Sequence, residues 1–280
     1  MTKIMIAKPF VKWVGGKRQL LAELLARLPG DLAELDYFEP FVGGGALTWS
    51  VAGSAMARTI TINDMNAELI NAYKVVRDQP LELLAHLRTH EHCPDYYYAL
   101  RSLDRQESFE RLDAVARASR FIYLNKTGFN GLWRVNSKGQ HNVPFGRYKN
   151  PKIIDEPTIL ACSAALQSVL IFSGDFRELS TRYDDKTFVY FDPPYVPLSQ
   201  SSSFTSYTRS GFSIDMQQSL VACCDLIDSS GGRFMLSNSD TPLVRALWGH
   251  YKIESVMARR AINSRSTGRG AVAEVVVCNY

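Results

Sequence analysis

No stretch of the sequence approaches the ~20 consecutive apolar residues of a membrane-spanning helix, and the apolar part of Met1 to Phe10 is too short for a secretory signal. Cysteine is sparse. Cys93, Cys162, Cys223, Cys224 and Cys278 form no C-x-x-C pair and no metal-ligand spacing. An odd number without a paired framework speaks against a disulfide-stapled secreted fold and for a reducing cytoplasm. Internal repeats and low-complexity tails are missing, which excludes a solenoid or a mainly disordered chain. The phosphate-loop pattern G-x-x-x-x-G-K-[ST] is missing as well, because Lys17 has the wrong upstream spacing and is followed by Arg18. A net charge of only +4 names no partner by itself. A soluble cytoplasmic protein without a metal or a membrane partner is the expectation.

The chain has 280 residues, enough for one large or two modest domains. Its charge is unevenly placed. Between Arg120 and Lys152 lie seven basic residues (Arg120, Lys126, Arg134, Lys138, Arg147, Lys149 and Lys152) and no Asp or Glu. Basic residues interleaved with aromatic ones suit a polyanion surface. On charge alone a solvated loop fits equally well.

Leu20, Leu21, Leu24, Leu25 and Leu28 share one face of a predicted helix that Pro29-Gly30 ends. Leu35 to Phe41 reads as a strand running into Gly43-Gly44-Gly45, then a helix, then a strand at Thr59–Ile62. Ala67 to Arg88 and Tyr96 to Leu124 read as helices broken at Pro80 and Pro94. Residues 125–157 are rich in Gly, Asn and Pro, the composition of loops and short strands. Strand patterns return at 168–173, 187–191, 233–236, 251–257 and 273–278, the last two flanking arginine-rich 258–270 as a candidate antiparallel pair. Strands alternating with helices at both ends predict an α/β, Rossmann-like doubly wound sheet interrupted by an inserted, mainly helical domain. The predicted division is 1–66 plus 155–280 for the sheet domain and 67–154 for the insert.

Phe41-Val42-Gly43-Gly44-Gly45 sits between strand and helix, where glycines permit a sharp turn and close approach to a ligand. Asp64 ends the next strand, at the position where an acid commonly holds ribose hydroxyls. The full G-x-G-x-x-G pattern is lacking, which disfavours a dinucleotide and suits a nucleoside ligand. Lys12-Trp13-Val14-Gly15-Gly16-Lys17 could place Trp13 and Lys17 near a ligand, although a buried core Trp fits the same pattern. Asp192-Pro193-Pro194-Tyr195 carries the strongest signal, because it follows the strand Phe188–Phe191 at the end where open α/β sheets bind ligands. An exocyclic amine of a nucleobase is a weak nucleophile, its lone pair being delocalised into the ring. A carboxylate and a backbone carbonyl that accept both of its N–H bonds draw the nitrogen toward tetrahedral geometry. Pro193 and Pro194 stiffen the loop and offer no competing N–H, and Tyr195 can stack on a base extruded from a duplex.

Six blocks in unbroken order, namely 12–17, 38–45, Asn63-Asp64, 129–134, 142–148 and 192–195, resemble the Dam family of DNA adenine methyltransferases. The resemblance spans Lys8 to Ser239 and has the alpha-class order of glycine loop, insert and catalytic loop. It implies S-adenosylmethionine as methyl donor, S-adenosylhomocysteine as product, and adenine N6 of GATC in double-stranded DNA as target. Cofactor contacts would come from Trp13, Lys17, Phe41, Gly43, Gly45, Asp64, Asp175, Phe176 and Asp192. Asp192, Pro193 and Tyr195 would be catalytic. Lys12, Phe129, Asn130, Leu132, Arg134, Pro144, Arg147 and Tyr148 would contact DNA, with Phe129 wedged where the flipped adenine leaves a gap and Arg134 reading guanine. For members within restriction-modification systems a cognate endonuclease is the expected partner, and the location would be the nucleoid or a phage host's cytoplasm. Ser237-Asn238-Ser239-Asp240 departs from the Ser-Asn-His-Asp of some members.

Other readings stand beside this one. The same loop suits N4-cytosine methylation, or methylation of RNA or a protein amide, and a noncatalytic DNA-binding protein could retain the fold. Methylation of a cytosine ring carbon is disfavoured, because no Cys follows a Pro.

Overall fold

The computed structural model describes residues 7–196, 212–259 and 271–280. Residues 260–270 of the arginine-rich segment lie outside the described residues. The strands are β1 (Asp36–Glu39), β2 (Thr59–Asp64), β3 (Val169–Ser173), β4 (Thr187–Phe191), β5 (Arg233–Ser239), β6 (Lys252–Arg259) and β7 (Ala271–Cys278). They form a seven-stranded sheet ordered β3-β2-β1-β4-β5-β7-β6. The chain as a whole is mixed α/β, and contacts divide it into two compact units: Met1–Gly16, Gly43–Ser54 and Asn66–Ser173, and Lys17–Val42, Ala55–Met65 and Gly174–Tyr280.

In the second unit β1 pairs in parallel with β2 and with β4, and β4 with β5. Neighbours on both sides of β1 make a switch point, and the C-terminal edge there is where such sheets bind ligands. β4 is buried at all five positions, four of them Phe, Val or Tyr, as a parallel strand covered on both faces should be. The final two strands form the expected antiparallel pair, but β7 inserts between β5 and β6. Its direction is therefore reversed relative to β5, and Glu274 lies opposite Ser239 at the C-terminal end of β5.

The helices are α1 (Leu21–Leu25), α2 (Ala46–Gly53), α3 (Ala67–Asp78), α4 (Pro80–Leu87), α5 (Pro94–Ser102), α6 (Ala114–Thr127), α7 (Glu156–Leu166), α8 (Ile214–Ser229) and α9 (Pro242–Leu247). α8 buries Leu220, Cys223, Cys224 and Ile227, an i, i+3, i+4, i+7 stripe, and packs on β5. In the first unit α3, α4 and α5 pack on α6. The Asn66 side chain accepts from the Leu69 N–H to start α3, and Asp113 accepts from Ala116 N–H to start α6. Pro80 and Pro94 each sit at a first helical position, where the missing N–H costs no bond.

Two helix expectations change. The five-leucine face yields only the short α1, preceded by a 3-10 turn at Lys17–Gln19. The segment Tyr96–Leu124 is not continuously helical, because 3-10 turns at Leu103–Arg105 and Glu107–Arg111 separate α5 from α6. The break turns Asp104 inward, where its carboxylate pairs with Arg120 at 2.8 Å and accepts the His141 N–H at 2.7 Å.

Candidate active site

In the second unit, the chain leaves β4 at the C-terminal edge of the sheet and turns through Asp192-Pro193-Pro194-Tyr195. Lys17 Nζ lies 2.8 Å from Asp192 Oδ1 and 4.4 Å from the centroid of the Tyr195 ring. The Lys17 side chain is 6% exposed and that of Asp192 21%, so the pair sits in a largely dry recess that still opens to solvent. Burial pushes the Asp192 carboxyl above its ordinary range, and the Lys17 ammonium opposes that shift without cancelling it. The Tyr195 hydroxyl donates to Glu274 Oε2 at 2.7 Å, and the Val196 N–H donates to Asn238 Oδ1 at 3.1 Å. Pro193 is buried and Pro194 exposed.

The neighbouring strand ends are tied to each other. The Asn63 side chain donates to the carbonyls of Pro40 and Gly174, while the Asn63 backbone carbonyl accepts the Val42 N–H. Gly174 N–H reaches the Asp64 carbonyl. These bonds bring the segment after β1, the end of β2 and the Gly174–Phe176 turn to one place. There the Phe41 and Phe176 rings lie 5.1 Å apart, each also against Phe212. Asp64 ends β2 with a half-buried side chain. The Asp175 carboxylate is engaged locally: it caps the 3-10 turn that follows and pairs with Arg177 at 2.8 Å, which holds its pKa below the ordinary value.

The glycine loop belongs to the first unit. Gly43 and Gly45 have φ of +47° and +69°, which favour glycine, and both face aromatic neighbours. A Cβ on Gly43 would lie 2.6 Å from the Trp13 ring, and one on Gly45 2.6 Å from the Tyr73 hydroxyl. Tyr73 in turn donates to the Gly43 carbonyl, and Trp49 Nε1 to that of Gly44. Trp13 is half-buried, and its ring lies 6.3 Å from that of Phe121.

The same unit brings together most of the residues that the sequence offers for DNA. Asn125, buried on α6, bonds both the N–H and the carbonyl of Lys12 and also the Gly131 carbonyl. Gly131 has φ of +63°, and the Lys12 side chain passes so close that no Cβ fits. Lys12 Nζ then lies 4.1 Å from the Tyr148 ring. Asn130 takes a left-handed φ of +54° at the tip of the 129–131 turn, and Phe129 beside it is 50% exposed. The Pro144 carbonyl accepts the Phe129 N–H, and Arg134 Nε donates to Asn142 Oδ1 at 2.7 Å. Arg134, Pro144 and Arg147 are exposed and Leu132 half-buried. Trp133, by contrast, packs on Phe121 and His141. Arg120, counted in the sequence with the basic surface, is 2% exposed and paired with Asp104.

Sequence reasoning missed Glu274, Asn125 and Tyr73, and left Asn238 without a role. Glu274 did leave a trace, being the one charged residue in the apolar strand Ala271–Cys278. Asn125 and Tyr73 left none, because buried polar groups that serve a loop look like any helical residue.

The family profile described as D12 class N6 adenine-specific DNA methyltransferase matches residues 13–262. Among similar proteins, the Type II methyltransferase M1.LlaDCHI of Lactococcus lactis subsp. cremoris is 45% identical over 98% of this chain and 95% of its own length. The Type II methyltransferase M.MjaIII of Methanocaldococcus jannaschii is 41% identical over 99% of this chain and all of its own length. The DNA adenine methylase of Escherichia coli is 33% identical, covering 96% and 94%. Matching along nearly the whole chain, with Asp192 and Lys17 paired at the end of β4, shows that this chain belongs to the D12 class of N6 adenine-specific DNA methyltransferases.

Proposed function

We propose that the chain transfers a methyl group from S-adenosylmethionine to N6 of an adenine flipped out of duplex DNA, within GATC. The observation that carries this reading is the Lys17–Asp192–Tyr195 cluster at the switch point of the sheet, a carboxylate on a stiff loop beside an aromatic ring. The GATC target rests on the resemblance of the 129–134 and 142–148 loops to the Dam family. A cognate restriction endonuclease is the partner that the Type II relatives suggest.

The donor set fits the cofactor chemically. Asp64 supplies an acceptor for ribose hydroxyls, Lys17 and Asp192 opposite charges for an amino-acid moiety, and Phe41 and Phe176 an aryl surface for an adenine ring. Trp13, Gly43, Gly45 and Asp175 would complete the set. When bound, S-adenosylmethionine supplies an electrophilic methyl on a sulfonium. The remaining work falls to this chain's own groups. Asp192 and the Pro193 carbonyl accept the two N–H bonds of the target amine, which concentrates its lone pair. Tyr195 stacks on the base, and a water-poor recess strengthens both interactions. Residues 1–66 plus 155–280 would form the catalytic part. Residues 67–154 would read DNA, Arg134 contacting a guanine edge and Phe129 filling the gap, with Lys12, Asn130, Leu132, Pro144, Arg147 and Tyr148 around them.

The direct test is incubation with unmethylated genomic DNA and S-adenosylmethionine, followed by mapping of modified bases at single-nucleotide resolution. N6-methyladenine within GATC is expected, whereas N4-methylcytosine, or no modification, overturns the proposal. Asp192→Ala should abolish methylation while leaving the circular-dichroism spectrum close to wild type. A variant that methylates at a near-normal rate would refute the assigned role.

A further inference from the structure

We infer that Glu274 is a positioning residue for Tyr195, fixing the plane in which that ring receives the target base. This deepens the reading proposed above and rests on it. The two prolines restrict the backbone before Tyr195 but leave its own side-chain torsions free. The ring therefore needs a second anchor if it is to hold one orientation. The structure provides one at each end of the residue. Behind it, Val196 N–H is bonded to the buried Asn238 side chain at 3.1 Å. At the tip, the phenol donates to Glu274 Oε2 at 2.7 Å, a charge-assisted bond in a half-buried setting.

The topology explains why this acid can reach the loop. Because β7 runs antiparallel to β5, Glu274 pairs with Ser239 and stands at the same sheet edge as the C-terminal ends of β4 and β5. A carboxylate in an otherwise apolar strand costs desolvation, and its bond to Tyr195 gives that position a use. Lys17 Nζ, 4.4 Å from the ring centroid, lies over one face. A base then stacks on the opposite face, whose direction is set by the Glu274 tether.

The test is a double-mutant cycle on Tyr195→Phe and Glu274→Ala, with Glu274→Gln as the conservative variant. Single-turnover methylation of a GATC duplex is measured, together with the KM for S-adenosylmethionine. The fluorescence of 2-aminopurine at the target position reports stacking of the flipped base. Each single substitution should slow methylation about ten-fold, the effect of one hydrogen bond to a charged group. Each should also raise 2-aminopurine fluorescence and leave the donor KM within about two-fold. The double variant should be no slower than either single one, and Glu274→Gln, which keeps an acceptor, should recover most of the rate. Multiplicative losses, a full rate in Tyr195→Phe, or an effect confined to donor KM would overturn the inference. If Glu274→Ala fails to fold, Tyr195→Phe and Glu274→Gln still decide it. The wild-type control keeps the two readings apart. Absence of N6-methyladenine from the wild-type protein defeats the proposed function, whereas wild-type activity with multiplicative losses defeats only the role of Glu274.

Discussion

In the proposed reaction Asp192 accepts N–H bonds most strongly when ionised, yet burial favours its neutral form, and Lys17 is the group that opposes this. The sign follows directly. A carboxyl raised above its ordinary value loses its charge at a higher pH, so methylation falls as pH drops through that raised value. Removing the ammonium in Lys17→Met takes away the opposing effect and raises the Asp192 pKa further. The acidic limb of the single-turnover rate, at saturating donor, should then move to higher pH, and an unmoved limb would separate Lys17 from Asp192 function. Both residues were legible in the sequence, because their types and their neighbours carry the chemistry. Glu274 was not, since its meaning depends on which strand lies beside β5. Asp175 was offered by the resemblance alone, and its commitment to Arg177 was not legible.

At the scale of elements, α6 shows why charge read along a chain can mislead. Arg120 lies in a stretch of 120–152 without any acid, yet the carboxylate that pairs with it comes from the turn between α5 and α6. Arg120 also donates to the carbonyls of Leu100 and Arg101, while Asp104 receives the His141 N–H. The pair thereby joins α6, the end of α5 and the loop before Val143. Arg120 is 2% exposed and the Asp104 side chain 9%. Asp104→Ala leaves a buried guanidinium without its counter-ion, an arrangement that costs about 3–5 kcal/mol. Urea unfolding should show a loss of that order, and a change below about 1 kcal/mol would mean that Arg120 finds another partner or water. The helices and their proline-marked starts were legible from spacing. The 3-10 break at 103–111 was not, because spacing along the chain does not show that Asp104 turns inward to pair with Arg120.

For the whole molecule, alternating strands and helices predicted the α/β class, and the apolar runs located the strands, but neither reveals pairing. The insertion of β7 between β5 and β6 is set by contacts remote in sequence. Net charge is similarly uninformative until burial is known. With Arg120 in the core, the exposed basic residues of the 120–152 stretch are Arg134, Lys138, Arg147 and Lys149, with Lys152 paired to Asp155. A duplex releases counterions for each phosphate that such groups neutralise, so affinity should fall steeply with salt despite a formal charge of only +4. Arg147→Ala should lower affinity for every sequence alike and reduce the log–log salt slope by about 1. Arg134→Ala should instead weaken GATC relative to substituted sites by about 1–3 kcal/mol with a smaller change in slope, as a base contact would. Fluorescence-anisotropy titrations of cognate and altered duplexes across salt concentrations distinguish the two. Equal loss of discrimination in both variants would contradict this division of the loop into a residue that reads bases and one that holds the backbone.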